Sequence, residues 1–451
     1  MATPRPRPKP HVHAGNGLAG VGPAGHNAGM TAQARARRGW LLSGDFGRFW
    51  LGQTISNLGS SFTFFALPLL VFKLTGSPIN LGITTAVEFV PYLLFGLVIG
   101  AWVDRVDRRR LMIATDLARA AVIATIPLLA AADMLSVGWV YAVAFCSATL
   151  TIAFDAAEFA AIPSLVPSSD DLVTANGRVQ ASYSAAQIAG PLLAGLLITV
   201  APVQQVLWVD AASFLVSAGT LLLIRASFNA PRDQEGRRAI RQEILDGLRY
   251  VLGHPVLRNI SAMMALINLV SATVYAQLVV FAKRQLEASD SQVALLYAAG
   301  SAGVVLLSLA AGPVRRRLSF SLAALGALTL DGLLTVVLAA TPWYWAAMVL
   351  WAAISGLGIF FNINTASLRQ QIVPNHLLGR VLSIAGVLAW SAIPVGALVG
   401  GWAVERTGSV ALVYGVIGAS VALLALAFSF GPLGHADRYL PASEPEPADM
   451  P

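Results

Sequence analysis

The sequence predicts an all-α integral membrane protein: twelve transmembrane helices in two pseudo-symmetric halves of six. Three observations carry this. First, 56% of the 451 residues are hydrophobic and only 12% are charged, whereas a soluble domain carries about 25% charge; the mean hydropathy of +0.68 agrees. Second, the chain contains twelve apolar runs close to the roughly 20 residues that a helix needs to cross a bilayer. Third, one long charged segment divides these runs six and six.

In chain order, residues 1–44 hold RPRPKPHVH and ARARR but no apolar stretch of signal-peptide kind, so they predict a disordered tail. Met1 and Met30 both qualify as start residues. The N-terminal half, 45–225, has runs at 49–72, 79–102, 110–132, 137–162, 174–200 and 205–225. The connector, 226–256, is charged and carries Ile240, Ile244, Leu248 and Val251 at helical spacing, which predicts a short surface helix. The C-terminal half, 257–431, has runs at 257–282, 292–313, 319–340, 343–366, 378–402 and 410–431, and 432–451 is a second tail. Cys146, the sole cysteine, lies inside an apolar run and permits neither an intrachain disulfide nor a cysteine-based metal site.

A net charge of +7 suits nucleic acid only when the basic residues cluster on one soluble face. Here they lie between apolar runs, and nucleic acid is not an expected partner. With the N-terminus placed in the cytoplasm, every Lys and Arg falls on the cytoplasmic side except Lys73, Lys283, Arg284, Arg406 and the intraspan Arg119. An excess of Lys and Arg on one side orients a membrane protein, so both termini are expected in the cytoplasm, with the chain in a bacterial cytoplasmic (inner) membrane.

The halves also echo each other. FDAAEFAAIPSLVP at 154–167 and FNINTASLRQQIVP at 361–374 share Phe154/Phe361, Val166/Val373 and Pro167/Pro374, and GRV recurs at Gly177–Val179 and Gly379–Val381. These repeats fall in runs 4 and 10, and 5 and 11, which predicts an internal duplication. Between runs 2 and 3 lies GAWVDRVDRRR, Gly100–Arg110. Asp104 suits a helix N-terminus, where the macrodipole favours a carboxylate, and the arginines suit pairing with it. Gly100, Asp104, Arg105, Asp107, Arg108 and Arg109 therefore form a candidate cytoplasmic latch whose contacts would break if the two halves rock. Plain positive anchoring explains Arg108–Arg110 but not the interleaved Asp104 and Asp107.

At Gly100-x-x-x-Asp104-Arg105-x-Asp107-Arg108-Arg109 the sequence resembles the major facilitator superfamily, whose signature G-x-x-x-D-R-x-G-R-R has glycine where Asp107 stands. Thr75-Gly76-Ser77, Leu81-Gly82, Gly190–Gly195 and Asp210–Phe214 resemble the branch that contains the enterobactin exporter and macrolide efflux proteins. The resemblance covers about 45–431. It implies the major facilitator fold, a small-molecule substrate moved by alternating access, and no cofactor. Gly190, Pro191 and Gly195 in GPLLAG are similar to the antiporter motif G-P-x-x-G-G, with Ala194 replacing a glycine. The fold implies that this helix meets helix 8 along Ala298–Gly303, two small surfaces sealing the outer end, and the motif implies export.

Within the spans, a charge is expensive unless paired or hydrated. Glu88, before Pro91, is the first candidate for the residue that carries a driving proton, with Asp155 and Glu158, three apart on one helix face, next. The alternative for Asp155 and Glu158 is membership of the latch with Arg105 or Arg108. Asp116 and Arg119 read as a structural pair, and Asp210 and Asp331 also lie within spans. The fold implies a cavity lined by helices 1, 4, 7 and 10, which supply Asn57, Phe64, Phe154, Asn268, Tyr275, Phe361, Asn362 and Asn364. This aromatic, amide-rich set suits a bulky amphipathic ligand, drug-like or siderophore-like.

The expectation is proton-coupled export by a monomer. Uptake, lysophospholipid flipping by the same fold and a non-transport membrane protein are the alternatives. An enzyme is not expected: the sequence has no zinc motif, nucleophile elbow or nucleotide loop, and every histidine lies in a tail or loop.

Overall fold

A bilayer core offers the backbone no hydrogen-bond partner, so each apolar run must close its own bonds as a helix. The computed structural model describes residues 44–103, 105–168, 171–229, 240–315 and 317–439. The expected tails up to 43 and from 440, connector residues 230–239 and Asp104 of the latch lie outside the described residues. All twelve runs are helical: α1 Asp45–Thr75, α2 Pro78–Val103, α3 Arg108–Ala131, α4 Val137–Leu165, α5 Leu172–Leu197 and α6 Leu207–Leu223, then α7 Pro255–Ala276, α8 Asp290–Arg315, α9 Gly326–Ala340, α10 Tyr344–Ile372, α11 Asn375–Trp390 with Ala392–Thr407, and α12 Val410–Ser429. Eleven of them are long and apolar enough to cross a membrane. The other is α5, which has the length but carries Asn176, Arg178, Gln180 and Gln187. The connector forms a helix at Ile240–Gly253, as its periodicity predicts.

Local chemistry sets the helix ends. Gly76 and Gly408 adopt left-handed backbone (φ 63° and 68°) to terminate α1 and α11. The Asp107 carboxylate accepts the Arg110 amide at 2.9 Å and so caps α3. Arg108 donates to the carbonyls of Ala160 and Phe228, and Arg109 to those of Leu221 and Leu222. The arginines of the expected latch thus fasten α3 to the ends of α4 and α6 in their own half, where free carbonyls favour a cation.

The neighbour pattern repeats. In the N-terminal half α1 meets α5 and α6, α2 meets α4, and α3 meets α4 and α6; in the other, α7 meets α11 and α12, α8 meets α10, and α9 meets α10 and α12. Adding six converts the first set into the second, so the duplication read from short repeats extends to the principal helix pairings of each half.

Between halves, α2 lies along α11 and α5 along α8. Their close approach needs residues without side chains at what we term the distal end, opposite Asp45 and Arg108. A Cβ on Gly82 would sit 2.4 Å from the Ala397 carbonyl oxygen, and one on Gly195 2.4 Å from the Ala294 Cβ. Polar contacts reinforce this end. Arg284 donates to the Gly76 carbonyl (2.6 Å), Gln277 to that of Pro78 (2.8 Å) and Ser291 to that of Gly195 (3.1 Å). Glu405 accepts the Ser77 hydroxyl (2.9 Å), and Asp290 pairs with Lys73 across the interface. At the proximal end the same helices part. On Gly96, Gly100, Gly177 and Gly312 a Cβ would meet nothing within 4 Å. The first part of α11, Asn375–Trp390, packs on α7 and the connector helix, and only Ala392–Thr407 lies along α2. The two halves form a wedge, shut distally and open proximally.

The structure departs from one expectation. The small residues Gly300 and Gly303 of α8 lie against Trp351 and Ala352 of α10, not against α5. Gly195 instead meets Ala294 and Ser291, one to two turns further towards the distal end, and Gly190 meets Ser61 of α1. A Cβ on Gly303 would lie 1.9 Å from the Ala352 carbonyl oxygen, a backbone atom with nowhere to move. Gly303→Ala should therefore destabilise the fold by about 1–3 kcal/mol through overpacking. Thermal unfolding in detergent checks it: the midpoint should fall for Gly303→Ala and hold for Gly312→Ala on the same helix.

Candidate functional site

Between the halves lies a cavity of about 570 Å³. Six helices line it: α1, α2 and α5 from one half, α7, α8 and α10 from the other. Helical periodicity explains which side chains face inward. On α2 they are Leu81, Thr84, Thr85 and Glu88; on α5, Gln180, Tyr183, Ser184 and Gln187. Both sets follow i, i+3, i+4, i+7, a single helix face. On α8, Tyr297, Gly300, Ser301 and Val304 repeat the pattern, and α10 adds Trp351, Ser355 and Ile359.

Aromatic rings close the distal floor of the cavity. Tyr297 meets Phe64 edge-on at 5.5 Å and Phe65 at 5.7 Å, joining α8 to α1. Tyr275 meets Trp351 at 5.2 Å. Among the described residues, Glu88 is the one charged side chain in the lining, half-buried and without a cation beside it there.

Of the residues expected to line a cavity, Phe64 and Tyr275 do so, and so does the proton candidate Glu88. The others lie elsewhere. The Asn57 carbonyl accepts the Ser61 hydroxyl within α1. Asn268 donates to the Ala389 carbonyl at 2.8 Å and fastens α7 to α11. Asn364 donates to Phe360 on its own helix, Phe361 is buried in the main apolar core, and Asn362 is exposed. Asp155 is exposed, and Glu158 is half-buried with Oε1 enclosed and unpartnered. The α5 residues Gln180, Tyr183, Ser184 and Gln187 were absent from the sequence-derived set, although their spacing was a usable signal.

A second polar cluster sits inside the N-terminal half. The Arg119 guanidinium lies between the rings of Phe154 and Phe214, 4.2 and 4.3 Å from their centroids, and binds Asp116 at 2.5 Å. Both partners are almost fully buried. Asp210 accepts Ser60 (3.2 Å) and Thr63 of α1. Gln53 donates to Ser217 at 3.2 Å. The Gln53, Ser60 and Thr63 bonds tie α1 to α6, and the Arg119–Asp116 pair neutralises its own charge within α3.

Comparison with known proteins agrees with this architecture. The Major Facilitator Superfamily profile matches residues 49–396. The multidrug efflux pump Tap of Mycolicibacterium fortuitum is 28% identical over 366 residues, covering 78% of this chain and 87% of Tap. Macrolide efflux protein A of Streptococcus pyogenes is 26% identical over 381 residues, covering 82% and 91%. Among solved structures, an inward-facing, unoccupied bacterial homolog of the human lysosomal transporter Spinster superposes with a TM-score of 0.67 at 15% identity, covering 90% of this chain and 98% of that one. At that identity the likeness speaks for the fold alone.

The Arg119 cluster makes a direct prediction. Arg119→Ala leaves the buried Asp116 carboxylate uncompensated and should cost about 3–5 kcal/mol. Adding Asp116→Ala should recover part of the loss. Denaturation of the detergent-solubilised protein reads both; an Arg119→Ala protein as stable as wild type contradicts the assignment.

Proposed function

The chain belongs to the Major Facilitator Superfamily and is a multi-pass membrane transporter, and from that premise we propose that it exports bulky amphipathic small molecules by proton antiport. The cavity carries this proposal: wide, aromatic, amide-bearing and closed at one end, with a single carboxylate inside. Its volume is within the range of drug-sized ligand sites, and its lining offers orienting polar groups on an otherwise apolar wall. A sugar would call for more hydrogen bonds. An anion would call for a cation where the lining has Glu88. Efflux pumps of drugs and macrolides among the relatives support export.

Orientation completes the cycle. The Arg-rich loop at 105–110, the connector helix Ile240–Gly253 and Arg315 share the proximal end, and excess Lys and Arg mark the cytoplasmic face. The cavity then opens to the cytoplasm of a bacterial inner membrane, the side from which an exporter loads, and both termini lie there too. Rocking about the cavity would open the distal end and release the cargo outside.

Glu88 is the residue proposed to carry the driving proton, because among the described residues it is the one carboxylate in the lining. Asp155 and Glu158 of α4 are the next candidates. A carboxylate that holds a proton in one conformation and gives it up in the other couples the gradient to the rocking. Substrate and proton competing for that carboxylate would enforce exchange. The protein is proposed to work as a monomer, since the cavity is formed within one chain.

Cells expressing the protein should accumulate less of a fluorescent amphipathic dye, and an uncoupler should erase the difference. Raised accumulation would indicate uptake. Glu88→Gln should abolish uncoupler-sensitive export while the protein still reaches the membrane. Undiminished coupled export by that variant would remove Glu88 from the coupling role.

A further inference from the structure

The cavity wall is chemically lopsided. Every amide and the only carboxylate come from the N-terminal half, on α2 and α5. The C-terminal half contributes rings and aliphatic groups, with hydroxyls and the Trp351 indole N–H as its polar groups. The duplication does not demand this, since α5 faces the cavity and its counterpart α11 does not.

The α5 groups also have unspent hydrogen-bond capacity. Thr84 and Ser301 donate to carbonyls of their own helices, Asn80 and Tyr297, as intrahelical hydroxyls often do. No described residue bonds to the Gln180 or Gln187 amides or to the Ser184 hydroxyl. Gln180 and Gln187, with Asn176 and Arg178, also deprive α5 of the apolarity of the other eleven spans. A lipid-spanning helix bearing three unpaired polar side chains on one face needs a partner for that face. While the wedge is open, water serves. When the halves close around cargo, the cargo must serve, because a site built to hydrogen-bond rejects a ligand that leaves its polar groups unpaired.

We infer that Gln180, Ser184 and Gln187 form a recognition edge. With Glu88 they read hydrogen-bonding groups along one edge of a facially amphipathic ligand, whose apolar face lies on Tyr275, Tyr297 and Trp351. Gln180 and Gln187 are two turns apart, about 10 Å along the helix axis. A ligand that satisfies both amides needs polar groups over a comparable span, so a small cation with its charge at one point fills the pocket without using the edge. The substrate class is thus a rigid, polyoxygenated or amine-bearing amphiphile with polar groups along one side. This rests on the cavity being the transport site, as proposed above.

Two probes separate the edge from the rest of the pocket. Erythromycin carries hydroxyls and an amine on sugars along a macrolide ring. Tetraphenylphosphonium is a bulky apolar cation without a hydrogen-bonding group. Their equilibrium binding to the full-length protein in lipid nanodiscs is measured for wild type, Gln180→Leu, Gln187→Leu and the milder Ser184→Ala. Losing one edge hydrogen bond should lower the ratio of erythromycin to tetraphenylphosphonium affinity about tenfold for either leucine variant, and in the same direction for Ser184→Ala. An unchanged ratio in all three variants overturns the proposal, whether both affinities fall together or neither moves. So does a wild-type protein that binds tetraphenylphosphonium but not erythromycin. Binding is read without a proton gradient, so a failure of coupling or of export direction leaves this result intact. A wild-type protein that binds neither probe overturns both readings.

Discussion

Lipid cannot hydrogen-bond, and the rest of this structure follows from that constraint. It forces each apolar run into a helix that satisfies its own backbone. It also favours polar side chains within the spans that have a protein partner or face a hydrated cavity. Arg119 with Asp116, and Asp210 with Ser60 and Thr63, belong to the first class and hold the N-terminal half together. Glu88, Gln180, Ser184 and Gln187 belong to the second and line the space between the halves.

The same constraint shapes how the halves meet. The two bundles touch chiefly along α2–α11 and α5–α8, and the main apolar core runs across both. Glycines permit close approach at the distal end, and short polar contacts hold it. The charge pattern makes sense in this light. Of the four cations that break the one-sided bias outside the spans, Lys73, Lys283 and Arg284 are engaged in this closure: both lysines pair with Asp290, and Arg284 binds the end of α1. They stand on the distal side because the closure needs them there. Arg108 and Arg109, by contrast, brace the ends of α4 and α6 within one half.

Most of the fold was legible from the sequence. Helix number, the connector helix and the two-half plan rest on length, apolarity and a charge break, each a strong local signal. Boundaries came within two or three residues for the fifth span, expected at 174–200 and found at Leu172–Leu197, and within six or seven for the seventh, ninth and tenth. The cavity lining was harder. Periodicity groups the side chains of one helix into faces but does not say which face meets a neighbour, lipid or water. Asn268 and Asn364 were plausible ligand amides, yet one ties α7 to α11 and the other bonds its own helix. The α5 face was readable, since four polar residues at i, i+3, i+4 and i+7 in a membrane span demand an explanation. Gly303 was assigned the wrong neighbour because a stripe of small residues signals close packing without naming the partner helix.

The central claim is that one cavity is shut distally and open proximally, and that the two ends exchange roles. Spin-label distances test this most directly, with one pair across the distal end at Thr199 and Glu287 and another across the proximal end at Ser227 and Leu318, each made by cysteine substitution in a Cys146→Ser background. When an amphipathic ligand or a shift in pH repopulates the protein, the distal distance should lengthen as the proximal one shortens. Two distances that lengthen together, or that keep single unchanging values under every condition, would contradict the account.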